Sequence, residues 1–220
     1  GAGTLTLSGA NTYTGLTTIS RGTLTAAGGS AIADTSQVTL ANTAGATLNL
    51  VNGETIGNLS GGGTTGGNVA LGANTLTVNQ AGTTTYGGVL SGAGGLTKAG
   101  VGTLTLSGNN AYAGATSINA GTLTLGNSNR IADASAVTVA AGATFNLAGY
   151  SETIGSLAGA GTVTKTGTGT TTLTVGADDT ATVFSGVIQN PTGTLNLTKT
   201  GAGTLTLSGA NTYRGVTNVN

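Results

Sequence analysis

The 220-residue chain contains no cysteine, histidine, methionine or tryptophan, and it has a single proline. Without cysteine it has no disulfides and no thiolate metal ligands, which fits passage through an oxidising compartment. Six basic and six acidic residues cancel, so no basic stripe is present to bind phosphates, and nucleic acid is disfavoured as a partner. No apolar run reaches about 18 residues, so we expect no transmembrane helix in this chain.

Glycine and aliphatic residues take the place of the missing types. The chain has 42 glycines, and 37% of its residues are hydrophobic. This hydrophobic content and the zero net charge argue against a disordered linker, which combines low hydrophobicity with high net charge. Glycine does not recur at every third residue, so a collagen helix is also excluded.

The chain repeats itself. The phrase GAGTLTLSGANTY starts at Gly1 and returns at Gly201, and an imperfect copy starts at Gly100. Two other phrases recur with nearly the same offset, one beginning at Ile32 and Ile131 and one at Glu54 and Glu152. We therefore expect one continuous segment of a longer repeat protein, with super-repeats at about 1–99 and 100–200 and the start of a third at 201–220. The second copy has extra residues at 189–192, which predicts a loop there.

Each super-repeat divides into shorter coils. The phrase Gly-Thr-Leu-Thr recurs from Leu5 to Leu24 and from Leu104 to Leu123, 19 residues apart in each case. Short runs alternate polar and apolar residues and are bounded by Gly, Asn and Ser, as in β-strands. An antiparallel meander is one possible arrangement. The near-identity of successive coils favours the other, an all-β right-handed parallel β-helix (β-solenoid) of roughly eleven coils, about 20 residues each, with no helix.

The segments 3–19, 102–118 and 203–219 resemble the passenger-associated strand repeat of bacterial autotransporters, which are secreted by the type V route. The coils between them, such as 22–40 and 142–157, resemble ordinary autotransporter β-helix coils, so the resemblance covers nearly the whole chain. It implies a surface-exposed β-helical stalk outside a Gram-negative bacterium. The family includes adhesins, autoaggregation factors and toxins, and the repeat does not distinguish among them.

The acidic residues do not form a recognisable catalytic or metal site. Glu54 and Glu152 are about five coils apart, roughly 24 Å, too far for a hydrolytic carboxylate pair, and we interpret both as solvated residues at strand starts. The aspartates are interpreted as turn residues, and the glycine-rich aspartate repeat of calcium β-rolls is missing. We therefore predict no catalytic residue, no cofactor and no metal; the aspartates concerned are Asp34, Asp133, Asp178 and Asp179.

Threonines and tyrosines recur with the phrase. The threonines face away from the leucines and would stack into hydroxyl–methyl ladders, which resemble those of ice-binding β-solenoids, although Thr is also simply a good outward strand residue. The tyrosines are interpreted as covering a corner of the coil and donating the hydroxyl locally. The candidate binding face is Thr4, Thr6, Thr23, Thr25, Thr103, Thr105, Thr122, Thr124, Thr204 and Thr206; the structural repeat residues are Tyr13, Tyr112, Tyr213, Leu5, Leu104 and Leu205.

The sequence therefore predicts a non-catalytic structural shaft that acts in adhesion, autoaggregation or spacing. Its partners would be further copies of itself, by stacking or lateral association, and a host or neighbouring cell surface or glycan. One alternative is a subunit of an extracellular filament assembled by head-to-tail stacking, because the two ends carry the same phrase. A lower alternative is an ice-binding threonine-ladder solenoid. An enzyme on the same fold would need clustered carboxylates and basic residues, which the sequence does not supply.

Overall fold

A computed structural model describes residues 1–220 as a β-solenoid of about 10 turns with about 21 residues per turn. Its secondary structure consists of 27 short strands and no helix. The first strands are β1 (Thr4–Leu7), β2 (Thr17–Ile19), β3 (Thr23–Ala26), β4 (Val38–Leu40), β5 (Thr47–Leu50), β6 (Glu54–Ile56), β7 (Leu59–Gly61), β8 (Asn68–Gly72), β9 (Leu76–Asn79), β10 (Thr83–Tyr86), β11 (Leu90–Gly92), β12 (Leu96–Ala99), β13 (Thr103–Leu106) and β14 (Ala111–Tyr112). The others are β15 (Thr116–Ile118), β16 (Thr122–Leu125), β17 (Ala136–Val139), β18 (Thr144–Asn146), β19 (Glu152–Ile154), β20 (Ser156–Gly159), β21 (Thr162–Thr164), β22 (Thr170–Val175), β23 (Thr182–Phe184), β24 (Val187–Gln189), β25 (Thr194–Lys199), β26 (Leu205–Leu207) and β27 (Thr217–Val219).

The strands form four parallel sheets that run along three sides of the solenoid. Sheet A contains β1, β3, β5, β8, β11 and β14; sheet B contains β2, β4, β7, β10, β13, β16, β18, β21 and β24. Sheet C contains β6, β9, β12, β15, β17, β20, β23 and β26, and sheet D contains β19, β22, β25 and β27. Sheet D continues the side of sheet A, because Arg130 and Ile131 bridge the two: the Asn110 amide bonds the Arg130 carbonyl, and Glu152 bonds their backbone N–H groups.

The alternation of the sequence explains this arrangement. In strands such as β13 and β16 the leucines are buried and the threonines between them are half-buried on the outer surface. Leu104 pairs with Leu123, and Phe145 follows Leu123 in the next rung, so like stacks on like along the core. Forty buried hydrophobic residues form one continuous cluster. Burial of apolar side chains therefore stabilises every rung against its neighbours.

Glycine allows the chain to turn tightly before the repeated phrase. Gly22 and Gly121 have φ of 78° and 63°, a left-handed backbone that other residues rarely adopt. A Cβ at Gly22 would collide with the Gly3 carbonyl of the preceding rung, and a Cβ at Gly121 with that of Gly102. Both the conformation and the close approach of the backbones therefore require glycine at this corner.

The repeated phrase does not return to the same side of the solenoid. Leu5 lies in β1 of sheet A, Leu104 in β13 of sheet B, and Leu205 in β26 of sheet C. From β1, four turns lead through sheet A to β11, and the chain then crosses β12 of sheet C before it reaches β13. One super-repeat is therefore four turns and two sides long, and each copy of the phrase is displaced by one side around the axis.

The predicted fold class is confirmed: the protein is all-β, without helix, and its strands are parallel. The turns number about 10 of about 21 residues, close to the expected eleven of about twenty. The antiparallel alternative is wrong, since every strand pair is parallel. The loop predicted around Pro191 is present between β24 and β25.

Candidate binding face

Sheet B presents the most regular outer surface of the molecule. Its nine strands contain no charged residue. In-register pairing places their outward side chains in two rows that run along the axis. Successive rungs are about 4.8 Å apart and the two rows about 6.6 Å apart, as strand geometry dictates.

Five successive rungs of sheet B carry an outward hydroxyl pair or its near equivalent, and we call this surface the threonine block. One row pairs Thr83, Thr103, Thr122, Thr144 and Thr162 in order, and the other pairs Thr85, Thr105, Thr124, Asn146 and Thr164. The block is about 19 Å long, four rung spacings. Thr83 and Thr85 are exposed and the others are half-buried, except Thr164, which is only 7% exposed and closes the block at its end.

The ten threonines of the candidate face do not form one surface. Thr103, Thr105, Thr122 and Thr124 belong to the threonine block. Thr4 and Thr6 stack on Thr23 and Thr25 in sheet A, and Thr206 lies on sheet C beside Val183. Thr204 directly precedes β26 and is exposed like Thr206. Because each copy of the phrase is displaced by one side, the repeat distributes these threonines over three sides.

Sequence reasoning missed five threonines that complete the block: Thr83, Thr85, Thr144, Thr162 and Thr164. Their sequences lack the phrase Gly-Thr-Leu-Thr, and in β10 the alternation is hidden because Thr84 takes the inward position between two outward threonines. The inward Thr84 is accommodated because its hydroxyl donates to the Leu59 carbonyl at 2.5 Å and accepts from the Gln80 amide at 3.0 Å. The available signal was the spacing of about twenty residues between Thr-x-Thr patterns, whatever residue stands between the threonines.

The interpretation of Glu54 and Glu152 as solvated residues is wrong. They begin β6 and β19 as expected, but they are only 2% and 1% exposed. Ile32 N–H and Ala31 N–H donate to Glu54 at 2.9 and 3.2 Å. Each carboxylate therefore holds the loop of the preceding rung, where the backbone makes no strand and its N–H groups need acceptors.

Glu152 holds its loop in the same way. Arg130 N–H and Ile131 N–H donate to its two carboxylate oxygens at 2.8 and 3.3 Å. Burial raises the pKa of Glu152 to about 7, although the two N–H donors favour its charged form. Burial also raises the pKa of Glu54 above its usual value, against the same opposing effect of the backbone donors Ile32 and Ala31.

Buried lysines are turned inward onto backbone carbonyls. Lys98 Nζ donates to the carbonyl oxygens of Ala99, Gly100 and Ala120 at 2.8–3.0 Å. Lys165 Nζ reaches the carbonyls of its own turn at Gly167, Thr168 and Gly169 in the same manner. Burial lowers the pKa of Lys98 to about 8, and the surrounding carbonyl dipoles favour the ammonium. These charges therefore brace corners instead of facing a ligand.

The tyrosines make the local hydrogen bonds that were expected. The Tyr112 and Thr116 hydroxyls are 2.6 Å apart, and Thr116 is 3.2 Å from Ser135 in the next rung. Tyr13 and Tyr213 make the equivalent contacts to threonines four residues later, at 3.1 and 2.7 Å. Tyr112 is fully buried, whereas Tyr13, in the first described turn, is 39% exposed. The rings therefore serve packing at a corner of the coil.

No other part of the molecule offers a reaction centre. No group of three or more Asp or Glu residues is arranged to hold a metal ion. The largest cavity, about 730 Å³, lies at the first turn between β1, β2 and β3, where the core leucines Leu5, Leu7 and Leu24 are not covered by another rung. The structure contains no helix long and apolar enough to cross a lipid bilayer.

These features define a class: a parallel β-solenoid shaft whose outer sides are uncharged, hydroxyl-rich and periodic. Comparison with known proteins is more specific. The model of the passenger-associated-transport-repeat family matches residues 1–26, 96–125 and 197–220, the three places where the phrase recurs. The chain is also 48% identical over 80 residues to the adhesin BmaC autotransporter of Brucella suis biovar 1 (strain 1330). No solved structure matches it.

The two sequence matches confirm the resemblance to autotransporter passengers with passenger-associated repeats. The second match covers 36% of this chain and only 2% of the length of that relative. The similarity supports an extracellular or cell-surface location in a Gram-negative bacterium, as the resemblance implied.

Proposed function

We propose that the chain is a stretch of the rigid shaft of a cell-surface adhesin. The observation that carries this proposal is the unbroken parallel stacking of about ten turns around one apolar core, with uncharged outer sides. Such a rod holds distant parts of a protein apart and repeats the same surface chemistry along its length. Similarity to an autotransporter adhesin and to its repeats agrees with a structural role and suggests that the segment is not an enzyme.

Adhesion by this surface would depend on number instead of on one strong site. A hydrogen bond from an exposed hydroxyl contributes about 1 kcal/mol or less. Many such contacts, presented on several rods at once, give strong attachment because each later contact forms within the same assembly. Autoaggregation, in which the partner is another copy, and attachment to a host or neighbouring cell surface or glycan both follow this mechanism.

A bead assay tests the proposal. The purified 220-residue chain is coupled to beads at several densities, and retention on bacterial or host cells is measured against beads coated with a globular protein of equal charge. We expect retention to rise steeply with density and the soluble chain to compete weakly. Retention that is independent of density and saturates with one tight site per chain would contradict the multivalent mechanism. Particles of the soluble chain that lengthen with concentration would favour the filament alternative.

A further inference from the structure

We propose that the threonine block binds ice, that is, the ordered water lattice of a growing ice surface. The inference goes beyond the adhesive shaft, because it assigns a ligand to one side of the solenoid only. The sequence placed threonine pairs on isolated coils, which weakened this idea. The structure instead places outward threonines on five successive rungs, from β10 to β21.

The block is built as a rigid, regular array. Behind it, Leu104, Leu123, Phe145 and Val163 stack in register in the core and none of them is exposed. Threonine is β-branched and has few rotamers, so its hydroxyl and methyl groups keep fixed positions on a fixed backbone. A surface that is ordered before binding loses little conformational entropy when it meets an ordered partner.

The hydroxyls of the block are free to bond a ligand. Farther along sheet B, the Thr39 and Ser60 hydroxyls are 2.8 Å apart and satisfy each other. In the block, the threonine hydroxyls make no hydrogen bond to another protein group. Each hydroxyl can both donate and accept, as water does, and each methyl group leaves room for a water cage beside it.

The spacing of the rungs suits a water lattice. Two water oxygens that bond a common third at about 2.75 Å with tetrahedral geometry are about 4.5 Å apart. Rungs are about 4.8 Å apart, so the mismatch over the four spacings of the block is about 1.2 Å, less than half of one hydrogen-bond length. Threonines on every rung can therefore take lattice positions together.

Other ligand classes fit the block less well. Its strands carry no charge with which to attract a phosphate, a lipid headgroup or an acidic glycan. The outward positions hold no aromatic ring on which a sugar could stack. An uncharged array of hydroxyl and methyl groups best complements an uncharged lattice of hydrogen-bonding groups at the same period.

Sheet C supplies a matched control surface in the same molecule. It has a single row of outward hydroxyls, and its neighbours in the strand are small. In β12 the outward Thr97 is preceded by Gly95 and followed by Ala99 at the next outward positions. A lysine at Thr97 thus tests the effect of the substitution itself on fold and solubility, without touching the threonine block.

The test measures how much protein enters a slowly growing ice front and whether it inhibits ice recrystallisation. The unaltered chain should concentrate in the ice, and Thr103→Lys or Thr122→Lys should lower that enrichment about tenfold, because a hydrated ammonium holds the lattice away from the face. Thr97→Lys should behave like the unaltered chain. Circular dichroism checks the fold of each variant, and Thr105→Lys and Thr124→Lys replace any variant that misfolds.

Two results would overturn the proposal. One is exclusion of the unaltered chain from ice. The other is equal enrichment of the block variants and the Thr97→Lys control. Binding of the unaltered chain to insoluble cellulose or chitin, without affinity for ice, would assign the block to a polysaccharide instead. None of these results bears on density-dependent retention of beads on cells, so failure of this proposal is distinguishable from failure of the adhesive function.

Discussion

The two copies of the repeat share their hydrogen bonds but not their surroundings. Glu54 and Glu152 each accept two backbone N–H groups from the preceding rung. By contrast, Leu104 is completely buried, whereas Leu5, at the same place in the phrase, is 60% exposed. The local networks are thus encoded in the repeat itself, and burial is decided by whether a neighbouring rung covers the residue.

The two copies also differ in the side of the solenoid that they occupy. The loop held by Glu54 precedes sheet C, and the loop held by Glu152 separates sheet A from sheet D. Sheet B alone runs through nine strands, because neither loop falls on it. The longest regular face therefore arises from how the super-repeat divides into turns, and not from any phrase repeated at each rung.

The largest expected effect tests whether the carboxylate networks are equivalent. Glu152→Ala should lower the free energy of unfolding by about 4 kcal/mol, because it leaves two buried N–H donors without an acceptor. Glu54→Ala should have an effect of the same size. Urea denaturation followed by circular dichroism measures both, with Thr153→Ala, on the outer face of β19, as a control expected to stay within about 0.5 kcal/mol of the unaltered chain. A loss at only one of the two glutamates would contradict the equivalence.

The next effect tests the difference in burial. Leu104→Ala should lower the free energy of unfolding by about 3 kcal/mol, because it leaves a cavity in a close-packed core. Leu5→Ala, in the uncovered first turn, should lower it by less than about 1 kcal/mol. The same denaturation experiment provides the comparison. Equal losses at the two positions would mean that the first turn is covered in solution, for example by another copy of the chain.

Much of the fold followed from the sequence, because each rung contains its own evidence. The spacing of 19 residues between equivalent leucines and the Thr-Leu-Thr-Leu alternation specify a short strand with one buried face. Near-identical neighbours can stack in register only if they run parallel. These local signals needed no knowledge of distant contacts.

The candidate site was less predictable, for two physical reasons. The side on which a phrase falls depends on the sum of all turn lengths before it, and turns vary from Thr103–Thr122 to Tyr86–Gly61, 19 and 25 residues. The second reason is burial: Glu54 and Glu152 are polar residues at a strand start, a pattern typical of exposed positions. Their function depends on unpaired N–H groups about twenty residues earlier in the chain, which alternation does not reveal.

The third prediction uses pH to compare the two carboxylates with the rest of the chain. The pKa of Glu152 is about 7 in the folded protein, above its usual value of 4.5. The folded state therefore binds the proton more tightly, so the free energy of unfolding is highest below pH 4.5 and falls as pH rises towards 7. The fall should be about 2 kcal/mol, with Glu54 contributing in the same direction.

Denaturation curves at intervals between pH 4 and pH 8 measure this dependence. Glu152→Gln removes the titrating group and keeps one oxygen acceptor, so the slope between pH 4.5 and pH 7 should decrease. A stability that rises with pH over this interval would show that the backbone donors outweigh burial and that both pKa values are depressed.

The smallest effect concerns the tyrosines, where the two copies share a bond but differ in burial. Tyr112→Phe removes the hydroxyl that contacts Thr116 inside the core, and it should lower the free energy of unfolding by about 1 kcal/mol because the Thr116 hydroxyl loses a buried partner. Tyr13→Phe removes the equivalent contact to Thr17 where water can replace it, so its effect should be below about 0.5 kcal/mol. Thr116 is still 3.2 Å from Ser135, so Thr116→Val in the Tyr112→Phe background distinguishes the two bonds. If both tyrosine variants lose the same stability, the hydrogen bond matters more than its burial, and the distinction between the covered and the uncovered copy fails at this position.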